Sequence, residues 1–277
     1  MGARKNKLAK FLNEHSRCYF CGEPAMTIDH VPSRECFLGR VGPEGYEFPA
    51  CKNCNNSAGR AEQTVALYRH CTDFTEDQRG KPQVHKLLDG LRNNSPTRMP
   101  IMNVTANQKR RAALRSGITL PAGETFSSLP IIGINREVHD DFALFSRRLT
   151  CALFYKHFGK VLPPAHMIKT QWMQFAHGNA EELIQAITAD MPHLTLTARV
   201  NTNIGQQFGY RWYADTETDT FAFVAQFAKA FFIFALASRP NEATTDNGWK
   251  THASDLIPTD QIASLQSENE QADKMTT

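Results

Sequence analysis

Four cysteines come as two tight pairs, Cys18-x-x-Cys21 and Cys51-x-x-Cys54. A two-residue spacer lets both sulfurs of a pair point inward from one turn. Two such pairs supply four thiolates that close a tetrahedron around one soft divalent ion, zinc above all. Ordinary buried cysteines or disulfides are the alternative, but repeated two-residue spacing in a chain without a secretory signature favours metal. Such an ion supplies on the order of 10 kcal/mol of folding free energy to a segment too short to hold a core of its own. It also pins two distant pieces of chain together. Those pieces carry Asp29-His30 and Asn55.

Elements must present these groups. Residues 25–30 read as a short strand that Val31-Pro32 ends, since proline cannot continue a ladder. Residues 33–45 hold Gly39, Gly42, Pro43 and Gly45 and read as a loop, with a return strand over 46–50. From Cys51 the chain turns into a helix running through Glu62 to about His70. Asparagine is a good helix N-cap, which gives Asn55 and Asn56 a purely structural alternative. Strand, loop, strand, helix sets Asp29 and His30 at a strand end facing the start of the helix. An aspartate oxygen and an amide oxygen are hard donors suited to magnesium or manganese, unlike the thiolates.

The order Cys-x-x-Cys, Asp-His-x-Pro, Cys-x-x-Cys-Asn resembles the HNH nucleases of the ββα-metal (His-Me finger) group. The strings TIDHVPS and FPACKNCNN are similar to a bacterial HNH endonuclease family with a further domain downstream, and RRLTCALFYKHFGKVLP followed by FGYRWY looks like that downstream domain. The resemblance implies Asp29 as a ligand of a catalytic Mg2+ or Mn2+, His30 as general base and Asn55 as second ligand. Cys18, Cys21, Cys51 and Cys54 then hold structural Zn2+. The family's middle asparagine is absent, and Tyr46 stands in its place. The implied activity is hydrolysis of phosphodiester bonds, leaving 5′ phosphate and 3′ hydroxyl, with double-stranded DNA as the expected partner. Phage defence, mobile elements and phage-encoded homing enzymes are the settings in which such nucleases occur. The competing readings are a zinc-stapled nucleic-acid-binding module without catalysis, and an adaptor whose C-terminal domain docks a protein partner within a larger complex.

The remainder of the chain sets bounds. With 277 residues, 41% of them hydrophobic, it has room for more than one domain. No uninterrupted apolar run of membrane-spanning length occurs; residues 221–237 come closest but contain Gln226 and Lys229. The basic start lacks the apolar block of a secretory signal, and free Cys36, Cys71 and Cys151 beside a thiolate site fit a reducing cytoplasm. Charge is near balance overall, at +3, but unevenly spread. Residues 76–120 carry nine Lys/Arg against three Asp/Glu, and the stretch from Pro240 onward carries seven acids against two bases. Lys109, Arg110, Arg111 and Arg115 wrap one expected helix and could reach phosphates on both sides of a groove, although a solvated helix face is an equal alternative.

The expected fold class is α+β. A zinc-stapled ββα-metal domain (1–75) is followed by a basic helical linker (76–125), a mixed α/β C-terminal domain (126–240) and an acidic tail (241–277) expected to be disordered. Within the third segment, 131–135 reads as a buried strand. Residues 140–158 form a helix, since Phe142, Phe145, Leu149 and Leu153 recur at helical spacing before Gly159. Helices are expected over 165–175 and 179–189, a strand over 193–200, and a hairpin from 208–214 to 220–227 around DTETD. A buried strand follows from Phe231, with a buried helix as the alternative.

Overall fold

A computed structural model describes residues 2–72, 81–115, 120, 122–129, 131–174, 184–185, 187–199, 204, 207–228 and 231–240. Helices and antiparallel sheets together make the chain α+β. It divides into two compact units, one of Met1–Leu91 with Asp141–Pro240, the other of Arg92–Asp140 with Asn241–Thr277. The expected acidic tail, the larger part of the helix expected over 179–189 and the last residue of the strand expected over 193–200 lie outside the described residues.

In the first unit, helix α1 (Gly2–Glu14) leads into the first cysteine pair. The knuckle closes by Gly22 N–H donating to Cys18 O at 2.9 Å and Cys18 N–H to Glu23 O at 2.7 Å. Gly22 adopts φ +78°, a backbone state that a side chain would strain. Strands β1 (Thr27–His30) and β2 (Glu47–Ala50) pair antiparallel with Asp29 opposite Phe48 and His30 opposite Glu47. Helix α2 (Lys52–Thr72) follows. The strand, loop, strand, helix order is the one read from the sequence.

A five-stranded antiparallel sheet of order β3-β7-β6-β5-β4 completes this unit, with β3 Met167–Gln174, β4 His193–Leu196, β5 Phe208–Asp215, β6 Thr220–Phe227 and β7 Phe231–Ser238. The hairpin falls where its turn residues place it, and the run from Phe231 is an inner strand. The stretch expected as a helix over 165–175 is instead β3. Its Ile168, Thr170 and Trp172 are β-formers at alternate positions, and all eight residues pair with β7. The long helix (Arg136–Phe158, α5 below) ends at Gly159 with φ +67°.

The stripe Phe142, Phe145, Leu149 and Leu153 is buried against one sheet face. Phe142 stacks on Trp172 at 4.2 Å, and Phe145 and Phe154 meet Phe227 and Phe221. Met191, Val224, Phe232 and Phe234 form a second cluster with Ile184 and Ile187. The cysteine-bearing segment shares this core: Phe37 and Tyr46 meet Phe208 edge-on, Leu38 N–H donates to Gln207 Oε1 at 2.8 Å, and His15 Nδ1 lies 3.1 Å from the Tyr155 hydroxyl.

Helix α3 (Lys81–Asn94) belongs to the first unit through Leu91, and the described residues of the second unit include its last turn, α4 (Ala106–Arg115) and the start of α5. The strand expected at 131–135 is there only an isolated bridge between Gly133 and Ile101. Glu137 accepts from Arg98 at 2.8 Å and from the Thr97 hydroxyl at 2.5 Å.

Candidate metal and catalytic site

The four sulfurs of Cys18, Cys21, Cys51 and Cys54 lie within 4.8 Å of one another, and Cys21 Sγ and Cys51 Sγ are 3.7 Å apart. A tetrahedron with Zn–S bonds of about 2.3 Å has edges of about 3.8 Å, so the set fits one zinc-sized ion. The local fold explains the arrangement. Cys18 and Cys21 flank the knuckle at one end of β1, while Cys51 and Cys54 sit at the end of β2 and the first turn of α2. Cys54 N–H donates to Cys51 Sγ at 3.4 Å, a bond that holds the Cys51 thiol below its ordinary pKa and favours the thiolate a metal needs. These four cysteines can bind a structural metal such as zinc.

Asn55, next along α2, is tied to β1. Its Nδ2 donates to Thr27 Oγ1 at 3.0 Å and to Ile28 O at 3.4 Å. Thr27 and Asp29, two residues apart, share one face of the strand, and His30 stands on the other. Asn55 is therefore brought to the Asp29 side.

Asp29 is buried. Its Oδ2 accepts from the Tyr19 hydroxyl at 2.9 Å and from Arg148 Nη2 of α5. Arg148 Nη1 in turn donates to Cys54 O at 2.7 Å, and its guanidinium lies over the rings of Tyr19 and Phe20. Glu62, two helical turns beyond Asn55, faces the same cluster and bonds to Ser33. Burial first, then the charge of Asp29, pushes its carboxyl up to about 7.

His30 is half-exposed at the strand end. Arg34 Nη2 lies 2.6 Å from its Nε2, and Glu47 Oε1 on the paired strand 3.5 Å from the same atom. Burial and the Arg34 charge lower its pKa, so the ring is neutral and Nε2 is the acceptor. Tyr46, where the resemblance expects an asparagine, turns inward. Its hydroxyl bonds to that of Tyr210 at 3.4 Å, while its carbonyl accepts from Val31 N–H at 3.1 Å. Arg34 is thus the hydrogen-bonding side chain at His30 Nε2, with the Glu47 carboxylate beside the same nitrogen.

Sequence reasoning did not single out Tyr19, Arg34, Glu47, Glu62 or Arg148 for the site. A period-2 reading of β1 and β2 could have found Glu47 opposite His30, and Arg34 sits one turn beyond it. Nothing in the spacing points to Arg148, more than a hundred residues away.

The basic residues belong to the second unit. Lys109 is committed internally, its Nζ donating to Ser127 O at 2.9 Å and Leu129 O at 2.7 Å. Exposed Arg110 and Arg111 line a shallow hollow with Asn107 and Leu114. The side chain of Arg115 is outside the described residues.

No helix among the described residues is long and apolar enough to cross a membrane. Comparison with protein-family models, with curated proteins and with solved structures finds no match to this chain.

Proposed function

We propose that the chain is a divalent-metal-dependent HNH endonuclease that hydrolyses phosphodiester bonds of double-stranded DNA. The observation that carries this reading is the tie from Asn55 at the start of α2 to β1, within two residues of Asp29-His30. It puts an amide and a carboxylate on one face of β1, next to the cysteine cluster in sequence, while the neutral imidazole of His30 stands on the other face at the strand end.

Both bonds to Asp29 fall on Oδ2 and both from Asn55 leave through Nδ2. The Oδ1 atoms of the two residues are the remaining donors, and this hard oxygen pair suits Mg2+ or Mn2+. When bound, such an ion supplies charge neutralisation at the scissile phosphate and the departing 3′ oxygen. The chain's own part is proton transfer and orientation. His30 draws a proton from water as the water oxygen bonds to phosphorus and the bond to the 3′ oxygen breaks. Glu47, on the paired strand 3.5 Å from Nε2, stabilises the imidazolium that forms when Nε2 takes the proton. Arg34, exposed, exchanges His30 for an anionic phosphate oxygen as substrate arrives, which frees Nε2 to accept the proton. Arg110 and Arg111 are the backbone contacts of this reading.

The ion pair of Asp29 with Arg148 favours a second reading, a zinc-stapled nucleic-acid-binding module or adaptor without catalysis. Plasmid nicking with Mg2+ or Mn2+ separates the two. The nuclease nicks, and His30→Ala abolishes nicking while zinc content and DNA binding persist. Equal nicking by His30→Ala, or none by the parent with either ion, removes the nuclease reading.

A further inference from the structure

The side chain of Arg148 is 3% exposed, yet it belongs to α5, the helix that carries the sheet's core. From there it spans both halves of the candidate site: one guanidinium nitrogen holds Asp29 Oδ2 on β1, the other holds Cys54 O, the carbonyl immediately before Asn55. A buried guanidinium fixes two acceptors in one planar geometry, whereas a lysine ammonium offers its donors from a single rotating point. Tyr19 closes the arrangement from the knuckle by donating to the same Oδ2.

Resting on the nuclease reading, we infer that Arg148 and Tyr19 are positioning residues that aim Asp29 Oδ1 and, through the Cys54 carbonyl, the Asn55 side chain at a shared divalent cation, making α5 an integral part of the metal site. Partners of this kind, bonded to the non-ligating atom of a carboxylate, fix its orientation and set affinity. Charge permits the arrangement. Two carboxyls, those of Asp29 and Glu62, face the one guanidinium, so Arg148 does not leave the cluster with an excess of base. Were Arg148 a mere substitute for the ion, its removal would tighten metal binding. Were it a structural staple alone, the folded variants would bind the ion as the parent does.

The test is calorimetric titration of Mn2+ into the zinc-loaded full chain, with zinc content and thermal midpoint measured for each variant. The parent binds one Mn2+ and Asp29→Asn loses it. Tyr19→Phe, which keeps the ring, and Arg148→Met each weaken Mn2+ by about ten- to a hundredfold, consistent with loss of an outer-shell partner. Arg148→Lys recovers part of the loss. If Arg148→Met does not fold, Tyr19→Phe decides. Parent-like or tighter Mn2+ affinity in folded, zinc-loaded Tyr19→Phe or Arg148→Met, with Asp29→Asn still deficient, overturns the positioning role and leaves the nuclease reading standing. No Mn2+ bound by the parent, or undiminished binding by Asp29→Asn, overturns the site reading and this inference with it.

Discussion

Replacing Cys51 by serine takes one corner from the sulfur tetrahedron and should release the ion. A structural zinc contributes roughly 10–16 kcal/mol at neutral pH. A whole domain is stable by about 5–15 kcal/mol, so the loss is as large as the reserve. The finger has little to set against it: β1 and β2 offer four residue pairs, and an isolated two-stranded sheet is marginal in water. Tyr19 and Phe48, buried in the folded chain, contribute about 1.5–3 kcal/mol each, too little to hold the finger in place of the ion, whereas the five-stranded sheet keeps its own core. Unfolding on loss of the ion is therefore expected to be local rather than global. In Cys51→Ser, amides of residues 18–56 lose hydrogen-exchange protection by several orders of magnitude, while those of β5, β6 and β7 keep theirs. Chelation of the parent gives the same pattern, with one equivalent of zinc released to a colorimetric indicator. Unchanged protection of β1 and β2 in a zinc-free sample would refute the staple.

The other expectations concern the sheet-bearing core. Phe154 is fully buried, stacked on Phe158 at 4.2 Å and edge-on to Phe221, so Phe154→Ala should cost about 3–5 kcal/mol. With a urea slope of about 2 kcal/mol/M this is a fall of roughly 1.5–2.5 M in midpoint, without loss of zinc. His157 is held between Tyr210 and Trp212, and burial lowers its pKa from 6.5 to about 4. The unfolded chain then binds the proton more readily than the folded one between those values. Stability is full above pH 6.5, falls as pH drops toward 4 and levels below it. In urea titrations from pH 7 to 4, His157→Gln should flatten the decline, and an identical decline would remove the assignment.

How much of this was legible in the sequence depends on the range of the interaction. The cysteine tetrad, the order of β1, β2 and α2, the stripe of α5 and the β5–β6 hairpin are written in spacings of two to eight residues. Those are the distances over which periodicity and turn chemistry operate. The segment around Trp172 misled because a short run of mixed polar and apolar residues suits helix and edge strand alike, and only pairing with β7 decides. The position of Asp29 was legible and its environment was not. Tyr19 lies ten residues away and Arg148 more than a hundred, and a buried ion pair across that separation leaves no local pattern. Tyr46 shows the converse. The sequence sets it where the resemblance expects an asparagine, and no local pattern shows that its ring turns inward to bond Tyr210.

The most direct measurement is a crystal structure of His30→Ala with duplex DNA and Mn2+, using anomalous scattering to locate the ion. One peak is expected at about 2.1–2.2 Å from Asp29 Oδ1 and Asn55 Oδ1, touching a phosphate oxygen, with Arg148 still on Oδ2. A second peak, from zinc, belongs at the centre of the four sulfurs. DNA seated elsewhere, or an Asp29 carboxylate that holds only Arg148 and Tyr19 while Mn2+ binds at another place, would contradict it.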